Sequence, residues 1–126
     1  VEKTNAVNIR RFFEEGRAYT QRKDSVQASE KLYKAAEETV KRLAERLDLP
    51  QLVEASRKGR WTSALLFSAV RSLSEKTHRQ EVLNGWHAAW FLHVEGFHEA
   101  RLDMEEVTFR LPMVEELIKL AEIEVT

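Results

Sequence analysis

The stretch Asp24-Ser-Val-Gln-Ala-Ser-Glu-Lys-Leu-Tyr-Lys-Ala-Ala-Glu-Glu-Thr-Val-Lys-Arg-Leu-Ala-Glu-Arg-Leu47 carries the clearest periodicity in the chain. Leu32, Ala36, Val40, Leu43 and Leu47 recur at steps of four or three, while Gln27, Lys31, Lys34, Glu38, Lys41 and Glu45 keep the same step and are all polar. One face is apolar and the opposite one is solvated, which is the pattern of a helix laid against a core. Asp24 offers an N-cap acceptor, and Asp48 to Pro50 ends the run.

The same rhythm extends in both directions. Toward the N-terminus, Ile9, Phe12, Phe13 and Tyr19 lie near one side of a segment whose other side holds Arg10, Arg11, Glu14, Arg17 and Gln21. Beyond Pro50 the punctuation and periodicity predict helices over about 51–57 and 62–77, the second with Leu65, Leu66, Ala69, Val70 and Leu73 inside. Four Gly and two Pro in 126 residues leave too few turns for an all-β chain. Only three Asp stand against eighteen Glu, and Asp24, Asp48 and Asp103 all fall where periodicity starts or stops, as expected of a cap-favouring residue. The reading is an all-α, up-and-down bundle of four to five helices in one domain, 1–126, with helices at about 5–22, 25–47, 51–57, 62–77, 80–100 and 112–123.

The 80–100 segment has no fully solvated face in α-helical projection. Leu83, Trp86, Trp90, Val94 and Phe97 form a large apolar stripe, and Gly85, Ala88, Ala89, Leu92 and Gly96 form a mostly small one that invites a close neighbour. Asn84, His87, Phe91, Glu95 and His98 form the third. Such a helix is expected in the middle of the bundle. Asp103 is expected to cap a short turn through Val107, with Pro112 at the first position of the last helix.

Composition narrows the chemistry. With 43% hydrophobic and 33% charged residues the chain is long enough for one core. The absence of Cys removes disulfides, Cys-based zinc modules and thiol nucleophiles. No apolar run approaches the ~20 residues of a bilayer span, and Val1 to Asn8 lack the layout of a signal peptide, so a cytoplasmic location is expected. Val1 is not Met, so residues before it are expected to be missing. The net charge of −1 divides into +4 over residues 1–60 and −5 over residues 61–126. That balance disfavours nonspecific duplex binding and suggests complementarity between helices of the two halves.

Three constellations could carry chemistry. Glu-x-x-His occurs at Glu75 to His78 and at Glu95 to His98, a spacing that serves two-metal centres in helical bundles. The two copies lie about 22 Å apart along the chain, too far to share one centre, so no metal is expected. The polar stripe Asn84, His87, Glu95 and His98, extended by Glu99 and Arg101, is the candidate ligand-binding set, because imidazole beside carboxylate suits binding or acid–base work. Ordinary polar packing is the competing account of the stripe, and His93 reads as a core-edge residue off it. Arg57, Lys58, Arg60 and Trp61 around Gly59 form a nucleic-acid candidate: three cations and a ring for a phosphate chain and a base. A helix C-terminus attracts cations for its own reasons, and Trp61 suits a plug at the bundle end. No Gly-rich phosphate loop or nucleophile elbow is present, and no cofactor is implied.

The runs Gln27-Ala-Ser-Glu-Lys-Leu-Tyr-Lys-Ala-Ala-Glu-Glu38, Gly96-Phe-His-Glu-Ala-Arg-Leu102 and Leu111-Pro-x-Val-Glu-x-Leu117 resemble the archaeal PaREP family of small helical proteins, first type. The resemblance covers nearly the whole chain from Asp24 onward and supplies a fold more than a reaction. It implies similarity to HEPN domains, helical bundles of the nucleotidyltransferase substrate-binding type that often dimerise and include ribonucleases, toxins and antitoxins. It therefore implies a noncatalytic module acting as a homodimer or as partner of a protein such as a nucleotidyltransferase, and binding a nucleotide or RNA end. The alternatives are a metal-independent, toxin-like ribonuclease and a purely structural interaction module. Active HEPN ribonucleases use an Arg, four to six residues and a His, a spacing met here only by Arg71 and His78. Ser72 follows Arg71 where the active motif usually has Asn, Asp or His, and Glu75 stands four residues on, at ion-pair spacing. The richness in Glu, Lys and Arg fits a thermophile.

Overall fold

The computed structural model describes residues 1–123, and most of its helices begin where a short polar side chain precedes the apolar rhythm. The Asn5 side chain accepts from the Val7 amide at the start of α1 (Ala6–Gln21), and Asp24 accepts from the Gln27 amide at the start of α2 (Ser25–Arg46). Pro50 opens α3 (Pro50–Lys58), which ends at Gly59 in the left-handed region, φ 76°, where a residue without a Cβ is least strained. Thr62 caps α4 (Ser63–Thr77). An uncapped α5 (Gln80–Phe91) continues directly into a π-helical turn, Leu92–His98. Asp103 caps α6 (Met104–Lys119), and a 3-10 turn, Leu120–Glu122, follows it. Among the described residues there are six α-helices and no strand, an all-α bundle as expected.

Two elements differ from the sequence reading. The expected helix over 80–100 is α-helical only to Phe91 and is π-helical from Leu92 to His98. The expected last helix over 112–123 instead starts at Met104 and runs through Pro112. A proline inside a helix forfeits one amide donor, here toward the carbonyl of Thr108. Thr108 and Pro112 are both exposed, so water can take the vacated place. Val107, Val114, Leu117 and Ile118 meanwhile keep one buried face on both sides of the proline. Burial of that face outweighs the lost bond.

The middle of the bundle belongs to α2 and not, as expected, to α5. α2 touches α1, α3, α4, α5, α6 and the π turn. Ala28, Ser29, Ala35, Ala36, Thr39 and Ala44 are buried on it, and these small side chains let several neighbours come close while Leu32, Val40 and Leu43 fill the core. α5 keeps Asn84 and His87 at the surface. Its buried side seats Trp86, fully enclosed, against Tyr33, Phe67 and Trp90. Two glycines set how closely α5 and the π turn approach α6 and α2. A methyl group at Gly85 would collide with Leu117 Cβ and stand 2.9 Å from the Met113 carbonyl, and one at Gly96 would collide with Ser29 Oγ.

Candidate functional site

The π turn organises the surface around it. Its amides reach back five residues, with Glu99 N donating to Val94 O at 2.9 Å, and such turns recur at functional sites because they redirect side chains within a helix. The redirection divides the stripe that the sequence suggested. Asn84 and His87 stay together on α5, whereas Glu95 and His98 turn toward other partners.

Asn84 and His87 line a groove of about 460 Å³ between α5 and α6, together with Phe91, Phe109, Arg110 and Met113. The Arg110 guanidinium lies 3.9 Å from the Phe91 ring centroid and 5.6 Å from that of Phe109. It is steadied by donating to the Glu106 carbonyl at 2.9 Å, with the Glu106 carboxylate at 3.6 Å. Phe109 is 62% exposed, a large ring left in water at the groove's rim. The Asn84 amide oxygen accepts from Gln80, and its amide nitrogen is left to face the groove or solvent. An aromatic rim, a delocalised cation, an amide and an imidazole thus share one concave surface.

On the other side of the turn, His98 comes over His93, with 3.2 Å between their Nε2 atoms. His93 stacks on Tyr33 at 3.9 Å between centroids, and its Nδ1 faces Glu30 Oε2 at 3.8 Å. Neither of those two buried atoms has a hydrogen-bond partner. Tyr33 is held in turn by donating its hydroxyl to Glu37 at 2.9 Å, and Lys41 donates to the same carboxylate at 3.2 Å. Burial pushes the His93 imidazole below its ordinary pKa, with proximity of His98 adding to the effect. Burial pushes the Glu30 carboxyl up, and burial followed by the neighbouring Glu37 raises Tyr33.

His93, Glu30 and Tyr33 were not among the sequence candidates. His93 sits at the edge of the core, as expected, half-buried against Tyr33 and Trp90, and it is also the centre of this cluster. A five-residue spacing places two side chains apart on an α-helix and together on a π turn, so the signal depends on the backbone and not on the residue types. Glu30 and Tyr33 stand three apart on α2, a spacing that shares one face and that could have pointed to them.

The remaining candidates lie elsewhere. Glu95 pairs with Arg101, whose hydrogen bond holds the Glu95 carboxyl below the usual carboxylate range. Glu99 and Arg101 are exposed beyond the turn. Arg71 and Glu75 are both exposed on α4, and His78 is its exposed C-cap in the left-handed region, φ 56°. Arg57 pairs with Glu54 at 3.1 Å, Lys58 and Arg60 are exposed, and Trp61 packs partly against the core. Gly59, Arg60 and Trp61 line a cleft of about 390 Å³ whose opposite wall includes Glu2 and Glu38 as well as Lys41. Among the described residues no group of three or more His, Asp or Glu side chains converges to hold a metal ion. No helix among them is long and apolar enough to cross a membrane.

Comparison with known proteins agrees with this architecture. The model of the archaeal PaREP1/PaREP8 family matches residues 6–118. A crystal structure of a protein from Sulfolobus solfataricus is 38% identical, covers 91% of this chain and 93% of its own, and superposes with a TM-score of 0.84. A solution structure bearing the same target name, also 38% identical, covers 90% and 88% with a TM-score of 0.78. No curated protein matches the chain.

Proposed function

Because the chain belongs to the archaeal PaREP1/PaREP8 family, we propose that it works as a noncatalytic, HEPN-like binding module whose α5/α6 groove takes a nucleotide or an RNA end. The observation that carries this reading is Arg110 laid on Phe91 beside the exposed ring of Phe109. A ring exposed at a groove rim offers a base a stacking surface, and such stacking contributes about 1–3 kcal/mol per base. The Arg110 charge attracts phosphate, and Asn84 and His87 supply donors and acceptors for a base edge or a ribose. The module acts in the cytoplasm as a homodimer or as the accessory partner of a protein such as a nucleotidyltransferase. Binding is favoured over cleavage because Arg71 and His78 lie two turns apart along α4, with His78 serving as a helix cap.

Calorimetric and NMR titration with nucleoside monophosphates and short 5′- or 3′-phosphorylated oligoribonucleotides tests the reading. Binding should shift the Asn84 and His87 resonances, and Phe109→Ala or Arg110→Ala should each weaken it by about 1–3 kcal/mol. In the same samples the wild-type chain and His78→Ala should leave the RNA equally intact. Titrations that move no groove resonance would remove the nucleotide-binding reading.

A further inference from the structure

The geometry points to a second site across the π turn, in which His93 and His98 together hold a divalent transition-metal ion of the zinc or copper class through their Nε2 atoms. Imidazole nitrogens bind such ions at about 2.0–2.1 Å, and at that length a 3.2 Å separation subtends an angle of about 100° at the metal. That angle lies between the octahedral and tetrahedral values. It is the bite of two adjacent corners of one coordination shell, produced by a backbone turn that superposes residues five apart.

A second observation comes from the far side of the His93 ring. Metal-bound imidazoles nearly always present their other nitrogen, as N–H, to a carboxylate or carbonyl, which fixes the tautomer and orients the ring. His93 Nδ1 and Glu30 Oε2 are both buried, both unpartnered, and face each other at 3.8 Å. Metal at Nε2 would put the proton on Nδ1 and give each orphan atom its partner after a small closing movement. The Tyr33 ring stacked on His93, itself tied to Glu37, holds the imidazole in place before the ion arrives. His98 is exposed, which leaves an entry path and open coordination positions for water or an anionic ligand. With no third protein ligand converging among the described residues, water or an anionic ligand would fill the remaining positions of the ion, one protein ligand fewer than catalytic zinc sites keep.

The test uses tag-free protein in chelator-treated buffer, titrated separately with zinc chloride and copper chloride and followed by calorimetry. Quenching of tryptophan emission by copper provides a local signal, because the Trp90 ring lies 5.3 Å from that of His93. Uptake of one equivalent is expected, weakened about 10- to 100-fold or more by His98→Gln or His93→Gln and about tenfold by Glu30→Gln, with His78→Gln unchanged. His98 is exposed, so its replacement leaves the core intact, and circular dichroism confirms that the variant is folded. Absence of stoichiometric uptake, or equal affinity in wild type and a folded His98→Gln, would overturn the proposal and leave the two rings joined by a shared proton only.

Discussion

His93 and Glu30 show how two neighbouring groups can pull stability in opposite directions with pH. The His93 pKa is lowered below 6.5 by burial and His98, so the folded chain binds fewer protons there than the unfolded one. Its contribution is full above about 6.5 and is lost as pH falls through the depressed value. Glu30 is raised above 4.5 by burial, so in its window the folded chain binds more protons and stability falls as pH rises. Lys34 and Glu37 on α2 also face this cluster and belong to the same balance. Without metal, Glu30→Gln should remove the opposing carboxyl, so stability between about pH 4.5 and 6.5 should rise more steeply with pH than in wild type. Urea unfolding at half-unit pH steps measures the slope, and a shallower slope in the variant would contradict this assignment of signs.

Among the elements, α6 most clearly combines a sequence signal with a competing physical demand. Pro112 reads locally as a helix start, yet the buried row Val107, Val114, Leu117 and Ile118 carries the helix through it. Restoring the amide with Pro112→Ala should therefore stabilise the chain, by about 1–2 kcal/mol once the greater freedom of the unfolded variant is deducted. A raised urea midpoint with unchanged slope would show it. The start of α2 was legible because Asp24 sits directly before the periodic run and does cap it, whereas Asn5 and Thr62, placed inside the expected helices, are the caps of α1 and α4. The end of the α5 segment was not legible. Apolar spacing from Gln80 to Ala100 fits an α-helix about as well as one that loosens after Phe91, and the close packing of Gly96 on Ser29 that accompanies the loosening is tertiary. The groove was half visible for the same reason: Asn84 and His87 share α5, while Phe109 and Arg110 arrive on a helix whose start the sequence placed eight residues too late.

At the scale of the whole molecule, the +4 and −5 halves meet in specific pairs. Arg10 bonds Glu122, Arg17 reaches Glu115 at 3.1 Å, and Arg46 donates to the carbonyls of Leu120 and Ala121. Part of the charge asymmetry is thus spent between α1 and the stretch from α6 into the 3-10 turn, while Arg46 of α2 caps neutral carbonyls there. Arg17 and Glu115 remain partly exposed, so a double-mutant cycle on them should give a coupling of less than about 1 kcal/mol. That coupling should shrink further at about 1 M salt, where the screening length falls to about 3 Å. A larger, salt-insensitive coupling would mean that the pair is more secluded than its exposure indicates. The π turn has a consequence for the chain as a length of polymer. One residue fewer between His93 and His98 would let the α-helical ladder close, with four residues covering nearly the rotation that five cover in the π turn. The two imidazoles, then four apart on an α-helix, would still share one face, and the chain beyond His98 would keep nearly its direction. A one-residue gap at this point in an otherwise well-aligned relative would therefore preserve the pairing of the two rings, where the same gap within an ordinary α-helix would break such a pair, and it would leave core composition almost untouched.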